Sequence, residues 1–310
     1  MTPEHLPQTE AENQKTAGLD CLDPVDLVHV LALEQRKAPD AVAAQKDRLA
    51  LAVDEIVTRL REGGRLHYVG AGTSGRLGFL DASEMPPTFG TNPDLVCAHI
   101  AGGLGALTRA VEGAEDDGDA GAAEMREHIG GGDAVVGISA SGGAAYVVRA
   151  VETARALGAW TLGVANNPRS PLGSAAHLEI VLATGAEPLT GSTRLLAGTS
   201  QKVLLNTLST AVMVRLGKVY ENFMVDVVAT NKKLRARALR LVMQLGGENE
   251  PRSRELLATA GGSVKLAVLM ARLSVGAEEG RSILSRAGGC LRAGLAPPPV
   301  IEVSPPGPSG

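Results

Sequence analysis

Short apolar runs alternate with longer helical patterns over the first two thirds of this 310-residue chain. Five runs rich in Val, Ile, Leu and Ala are expected to form strands, at residues 65–69, 95–100, 134–138, 160–165 and 178–183. The runs are largely apolar instead of alternating, which is typical of parallel strands that helices cover on both faces. The pattern predicts an α/β fold with a doubly wound, five-stranded parallel sheet.

Helical periodicity flanks the predicted strands on both sides. In residues 41–62 apolar positions recur at helical spacing, and Gly63 and Gly64 end the helix. Other helices are expected at 24–33, 106–112, 120–129, 143–157, 197–216, 223–245, 252–260, 263–274 and 277–287. We predict a flexible arm at 1–20, a sheet domain with flanking helices at 21–247, a three-helix domain at 248–295 and a disordered Pro-rich tail at 296–310.

Charge and composition narrow the classes of partner. A formal charge of −4 and an isoelectric point near 5.9 argue against a broad nucleic-acid surface. Residues 1–18 are polar, and no apolar run reaches the roughly 18 to 20 residues that a membrane span needs. We expect a cytoplasmic protein that binds neither nucleic acid nor a membrane.

Cysteine and histidine spacing gives no sign of a metal centre. The three cysteines are far apart in the sequence, so neither a disulfide framework nor a zinc cluster is expected. The six histidines include no pair at i, i+4 and no HExxH motif. The sequence therefore predicts no metal site.

Two Gly- and Ser-rich turns each follow a predicted strand and precede a predicted helix. Their candidate anion-binding residues are Gly72, Thr73 and Ser74 in the turn at 70–76, and Ser139, Ser141 and Gly142 in the turn at 139–143. Ligands of open parallel sheets bind beyond the carboxyl ends of the strands, and helix amino-termini attract anions. Two such turns indicate one phosphorylated ligand.

Either turn alone is also typical of an ordinary connection between a strand and a helix. Gly70, Gly72 and Gly75 match the GxGxxG pattern of dinucleotide-binding folds. The acidic residue that such folds carry about 20 residues later, at the end of a second strand, is not evident. Nucleotide binding is therefore disfavoured.

Two glutamates are candidate catalytic carboxylates. Glu84 lies at the predicted end of the helix after the first turn, and Glu115 lies in the acidic run 112–117. Each one alone is more typical of a solvated or capping residue. As a pair they suit general acid-base chemistry, which needs one protonated and one ionised group.

Longer motifs point to one family. They lie at 68–90 (YVGAGTSGRLGFLDASEMPPTFG), 101–103, 110–117, 190–194, 197–199 and 217–231. These motifs resemble the signatures of N-acetylmuramic acid 6-phosphate etherases, members of the sugar isomerase (SIS) fold group, and the resemblance runs from about residue 6 to 295. It implies a phosphorylated amino sugar as substrate, no metal or organic cofactor, and a homodimer with the site near the subunit interface.

By this resemblance Glu84 and Glu115 correspond to the family's two catalytic glutamates. The implied reaction removes D-lactate from carbon 3 of N-acetylmuramic acid 6-phosphate and leaves N-acetylglucosamine 6-phosphate, in the catabolism of cell-wall amino sugars. Glu115 would abstract the carbon 2 proton of the open-chain sugar. Glu84 would protonate the departing oxygen and then activate water, a role that favours a partly buried position. The resemblance assigns phosphate binding to Ser74 and Ser141.

Two positions depart from the family pattern. Gly143, Ala144 and Ala145 replace the usual Arg-Thr-Pro, which removes a hydroxyl at Ala144 that Ser139 could replace. Leu196 stands where a lysine is common, so a potential cation is missing.

Two other functions on the same fold remain as alternatives. One is an aldose-ketose isomerase, and the other is a non-catalytic phosphosugar sensor that resembles the glucokinase regulatory protein. Both glutamates are present in this chain, which favours the etherase.

Overall fold

The computed structural model describes residues 7–226 and 232–296. Its internal contacts divide the chain into a first unit, Met1–Arg215, and a second unit, Leu216–Gly310. The predicted tail lies, except for Ala296, outside the described residues.

The first unit contains the whole parallel sheet. Its strands are β1 (Leu66–Gly70), β2 (Val96–Ile100), β3 (Ala134–Ser139), β4 (Trp160–Ala165) and β5 (Leu178–Val181). Its helices are α1 (Pro24–Glu34), α2 (Lys37–Ala43), α3 (Lys46–Arg61), α4 (Gly72–Phe89), α5 (Gly118–His128), α6 (Ala145–Ala156), α7 (Pro171–Ala175) and α8 (Leu196–Arg215). All strand pairs are parallel, in the order β2-β1-β3-β4-β5, which confirms the predicted doubly wound sheet.

Burial on both faces explains why the strands are apolar throughout. Every residue of β1, β3 and β4 is buried. The apolar stripe of α3 is buried as its spacing predicts, and it includes Leu49, Val53 and Ile56.

Helix α4 continues beyond the predicted end near Glu84, through Pro86 and Pro87 to Phe89. Met85 and Phe89 are buried, so the last turn stays on the core side. Gly90, with a φ of 61°, ends the helix in the left-handed conformation that glycine adopts most easily.

Two predicted helices are wrong in part. The segment 106–112 contains only the end of a 3₁₀ turn, Leu104–Leu107, because Val111 folds back against Gly102. The segment 223–245 begins with the strand β7 (Phe223–Met224), which pairs antiparallel with β6 (Val219–Tyr220) in a two-stranded ribbon, and its helix starts at Lys232.

The amino-terminal segment differs from the flexible arm that the sequence suggests. Residues 7–21 form three 3₁₀ turns, and Thr9 and Asn13 are buried. Asn13 Nδ2 donates to Glu34 Oε2 at 2.9 Å, and Asn167 Nδ2 donates to Thr9 Oγ1 at 3.1 Å. Polar side chains hold this segment against the rest of the first unit, which is why hydrophobic periodicity gives no sign of its order.

In residues 216–226 and 232–296, the regular elements of the second unit are helices apart from the ribbon. Its helices are α9 (Lys232–Gly246), α10 (Glu250–Thr259), α11 (Val264–Leu273), α12 (Ala277–Arg286) and α13 (Leu291–Leu295). Helix α11 is central, because its residues from Val264 to Met270 are all buried. Helix α9 packs against α10 and α11, and the division at 215/216 therefore falls earlier than the predicted boundary at 247/248.

Within the described residues, no single helix has the length and apolar character of a membrane span. Helices α10 and α11 meet these criteria only together, and they are bent by 117° at their junction. The buried residues of α11 belong to the apolar core of the second unit.

Glycines allow α4 to lie unusually close to β1. A Cβ atom on Gly78 would lie 2.9 Å from Tyr68 Cβ, and one on Gly70 would lie 2.5 Å from the backbone nitrogen of Gly75. Beside this contact, Tyr68 Oη donates to Asp81 Oδ2 at 2.9 Å, and Asn206 Nδ2 donates to Asp81 Oδ1 at 2.7 Å. This buried polar cluster joins β1, α4 and α8, and burial together with Asp81 raises the pKa of Tyr68.

The Gly78→Ala variant tests the close approach of α4 to β1. We expect it to lower the free energy of unfolding by about 1–3 kcal/mol, because the added methyl overpacks the contact with Tyr68. Gly105→Ala is the matched control, since a Cβ there meets no atom within 4 Å, and its effect should stay within about 0.5 kcal/mol. Urea unfolding measures both, and equal stability of the two variants would contradict the packing argument.

Candidate active site

The two Gly- and Ser-rich turns lie side by side at the point where strand order reverses. Strands β1 and β3 are neighbours, and the chain leaves β1 toward β2 but leaves β3 toward β4 on the other side. Gly70 pairs with Ile138 in this register, so both strands end at the same edge of the sheet. This is the position that ligands occupy in open parallel sheets.

The first turn presents backbone amides. Gly72, with a φ of 53°, begins α4, and no side chain caps the helix. Helix geometry leaves the amides of Gly72, Thr73 and Ser74 without acceptors inside the helix, since the first bond runs from Gly75 N to Ala71 O. The amides and the helix dipole together favour an anion.

A buried chain of hydrogen bonds fixes Ser74. Its hydroxyl donates to Gln201 Oε1 at 2.8 Å, and Gln201 Nε2 donates to Asn166 Oδ1 at 3.0 Å. All three side chains are buried. The Ser74 hydroxyl proton is therefore already used, and its backbone amide is the donor that remains for a ligand.

The second turn is held by its own hydroxyls. Ser139 Oγ accepts from Gly142 N at 3.1 Å, and Ser141 Oγ accepts from Gly143 N at 3.1 Å. The two hydroxyl oxygens are 3.4 Å apart, so their protons are left for each other or for an anion. Gly142 has a φ of 72°, and a Cβ there would lie 2.3 Å from Ser170 Cβ, so its role is to shape the turn.

One cavity of about 310 Å³ joins the two turns and Glu115, at the lower end of the range for ligand pockets. Its predicted lining residues are Gly72, Thr73, Ser74, Glu115, Ser139 and Ser141. Gly142 is not among the lining residues. Ala144 also lines the cavity, whereas Leu196 does not and is fully buried, so the missing lysine does not open onto this space.

Glu115 reaches the cavity from a short 3₁₀ turn, Ala114–Asp116, which follows Gly113 with a φ of 72°. It is exposed, and it also lines an adjoining cavity of about 140 Å³ that contains Arg76. Asp117, two residues later, caps α5 by accepting from Ala120 N at 2.9 Å. Within the acidic run, Asp117 therefore caps a helix, whereas Glu115 faces the cavity.

Glu84 does not meet Glu115 within this chain. It is exposed on α4 and is not among the cavity's lining residues. Ten residues separate it from Ser74, which is about 15 Å along the helix axis. The partly buried position expected for Glu84 is absent from the single chain.

Sequence reasoning missed three residues that line the cavity: Glu10, Gly191 and Thr193. Glu10 comes from the amino-terminal segment, which is anchored to the second turn because Asn167 Nδ2 donates both to Thr9 Oγ1 and to Ala140 O. Gly191 and Thr193 lie in the motif at 190–194, where the resemblance was the only available signal.

A helix cap fixes the segment that follows this motif. Both carboxylate oxygens of Glu187 accept backbone amides at the start of α8, from Leu196 at 2.7 Å and from Ala197 at 2.9 Å. Glu187 is fully buried, and this burial raises its pKa although the two amides oppose the shift.

Three histidines that are distant in sequence, His67, His99 and His128, gather between β1, β2 and α5, a grouping that their spacing does not reveal. His99, Glu124 and His128 each offer a ligand atom within 4.8 Å of the other two. His67 lies beneath them. Its pKa is lowered to about 3, mainly by burial and next by the neighbouring His99. No other group of this kind is present in the described ranges 7–226 and 232–296.

Comparison with known proteins agrees with this architecture. The model of the glucokinase regulatory protein N-terminal SIS domain matches residues 48–155, and the SIS domain model matches residues 110–211. A solved structure from Bacteroides fragilis, described as a phosphosugar isomerase involved in capsule formation, has a TM-score of 0.50 at 21% identity. The alignment covers 64% of this chain and 95% of that one, and it shows the fold alone.

Relatives that align over most of the chain are much more similar in sequence. The chain is 51% identical over 261 residues to an N-acetylmuramic acid 6-phosphate etherase of Symbiobacterium thermophilum, covering 84% of this chain and 87% of the relative. It is 49% identical to one of Deinococcus radiodurans, covering 92% of this chain and 94% of the relative. The chain belongs to the family of N-acetylmuramic acid 6-phosphate etherases.

Proposed function

We propose that this chain cleaves the lactyl ether at carbon 3 of N-acetylmuramic acid 6-phosphate, by elimination of D-lactate and addition of water. The observation that carries the proposal is the single cavity in which an exposed carboxylate, Glu115, faces two anion-ready turns. A phosphate and a proton to be abstracted can therefore be held on one ligand. The product is N-acetylglucosamine 6-phosphate.

The phosphate lies between the two turns in this proposal. The amides of Gly72, Thr73 and Ser74 and the hydroxyls of Ser139 and Ser141 supply its donors. Ser139 can replace the hydroxyl that is absent at Ala144, because its oxygen accepts from Gly142 while its proton stays available. Gly142 acts by holding the shape of the turn.

Glu115 is the base in the proposed reaction. It abstracts the proton on carbon 2 of the open-chain sugar, which the carbonyl at carbon 1 acidifies. The resulting carbanion expels lactate from carbon 3. Glu115 is exposed and lines the cavity, so its carboxylate can reach a bound sugar.

Glu84 is the acid in the proposed reaction, and we place it in the cavity of a second copy of the chain. It shares the exposed side of α4 with Leu80, which is 49% exposed. Helix α8 packs beside α4, and its outer residues, including Val203 and Ala211, line a shallow cavity of about 510 Å³. A homodimer that covers this surface would bury Glu84 and bring it to the partner's Glu115.

Two alternatives predict different outcomes. A phosphosugar sensor, which the glucokinase regulatory protein match favours, would bind the substrate without releasing lactate. An isomerase on this fold would form a ketose. The presence of Glu115 at the cavity favours turnover over sensing.

Replacing Glu115 tests its role as base. In Glu115→Gln we expect the exchange of the carbon 2 proton with deuterium oxide and the release of lactate to fall together, by about 10²–10⁴-fold. NMR measures exchange and an enzymatic assay measures D-lactate. Asp116→Asn is the control, because Asp116 is exposed in the same turn and does not line either cavity, and its rates should match the wild type. Normal exchange in Glu115→Gln would exclude this role.

Heterodimers test the origin of Glu84. A dimer of one Glu84→Gln chain and one Glu115→Gln chain keeps one complete site if Glu84 acts across the interface, so we expect about half of the wild-type rate per dimer. A dimer of one double-mutant chain and one wild-type chain should then be nearly inactive. Differently tagged chains are co-expressed, purified as heterodimers and assayed for lactate. The reverse pair of results would place Glu84 and Glu115 in the same chain's site.

A further inference from the structure

A cluster of imidazoles and carboxylates lies away from the proposed active site, between the edge strand β2 and helix α5. His99 comes from β2, and Glu124 and His128 come from α5. Glu124 and His128 are four residues apart and so occupy one face of the helix. The topology brings this face onto the strand residue.

The ligand atoms of the cluster converge. His99 Nδ1 is 2.7 Å from Glu124 Oε1, and His128 Nε2 is 3.5 Å from the same oxygen. Side-chain exposure is 6% for His99, 36% for Glu124 and 39% for His128, so the cluster is closed toward the sheet and open toward solvent. Such a site has an entry path and room for water.

We propose that His99, Glu124 and His128 bind a divalent metal ion of the zinc class. Two imidazoles and one carboxylate are a donor set that Zn²⁺ accepts, with water as the fourth ligand. Ligand bonds of roughly 2.0–2.2 Å in a tetrahedron separate ligand atoms by about 3.3 Å. The distance of 3.5 Å between Glu124 Oε1 and His128 Nε2 already fits this value. The distance of 2.7 Å between His99 Nδ1 and Glu124 Oε1 needs to increase by only about half an ångström.

Further residues behind His99 are arranged to orient it. His99 Nε2 is 3.0 Å from His67 Nδ1, and the two ring planes are within 16° of parallel with centroids 5.3 Å apart, which suits a hydrogen bond between the two nitrogens. A metal on Nδ1 fixes the His99 proton on Nε2, from which it is donated to His67.

The hydrogen bond from His99 to His67 also gives a reason for the unpartnered, buried Nε2 atom of His67. His67 Nε2 has no hydrogen-bond partner among the described residues, and Asp133 Oδ2 is 3.6 Å away. Asp133 is itself held by the backbone amides of Arg65 and Gly130, each at 2.8 Å. With the proton order that a metal imposes, Nε2 becomes the donor and Asp133 the acceptor, which completes a chain from carboxylate to metal.

The ion would stabilise the fold and take no part in the proposed reaction. Helix α5 begins just after the Glu115 turn, and His128 lies ten residues from its first residue, which is about 15 Å along the helix. The metal would tie the far end of α5 to the edge strand β2. Its binding should therefore stabilise the first unit without supplying a group to the cavity.

Cobalt titration of the chelator-treated, tag-free protein tests the site. We expect one Co²⁺ per chain, with the visible absorption of four-coordinate cobalt, and displacement of this signal by Zn²⁺. His128→Gln and Glu124→Gln should weaken binding by roughly 100-fold or more, because each removes one ligand. Zinc should raise the melting temperature of the wild type but not of these variants.

Two control variants separate this site from adventitious binding. His29→Gln removes an exposed histidine of α1, and Cys97→Ser removes a thiol of β2, so both should keep the cobalt signal and the zinc-dependent rise in melting temperature. Absence of cobalt binding in the wild type would overturn the proposal and leave the cluster as a hydrogen-bonded chain. Equal binding by His128→Gln, Glu124→Gln and the wild type would also overturn it.

Discussion

The close contact between α4 and β1 is the constraint on which the rest of the first unit depends. Gly70, Gly75 and Gly78 remove the Cβ atoms that would otherwise collide with the strand or with the turn itself. The helix can then begin immediately after the strand, with its first amides aimed over the edge of the sheet. The buried cluster around Asp81 holds the same helix against α8.

This contact also determines how the two parts of α4 contribute to the proposed active site. The amino-terminal end of α4 meets the second turn at the switch point and forms the anion-binding half of the cavity. The same rigid helix carries Glu84 about 15 Å away, onto an exposed side that faces away from the core. Helix α4 thus serves a phosphate at one end and, in the proposed dimer, a neighbouring site near the other. The packing of α4 against β1 therefore contributes both to stability and to the proposed function.

Much of this could be predicted from the sequence. Apolar runs indicate the buried strands. The glycines and serines that a tight connection between a strand and a helix needs indicate the two turns. Features held by polar or long-range contacts could not be predicted in this way. The order of residues 7–21 depends on pairs such as Asn13 with Glu34, and the grouping of His99 with His128 depends on topology instead of spacing. The position of Glu84 relative to Glu115 depends on the length of α4 and on the proposed dimer. Similarity of sequence motifs gives no information about either.

Turnover in oxygen-18 water tests most directly the claim that the chain eliminates lactate and then hydrates the sugar. Purified protein is incubated with N-acetylmuramic acid 6-phosphate, and mass spectrometry and carbon-13 NMR locate the label. We expect unlabelled D-lactate and oxygen-18 on carbon 3 of N-acetylglucosamine 6-phosphate, because the bond between carbon 3 and the ether oxygen is the one that breaks. Label in the lactate hydroxyl, or phosphosugar binding without any lactate release, would contradict it.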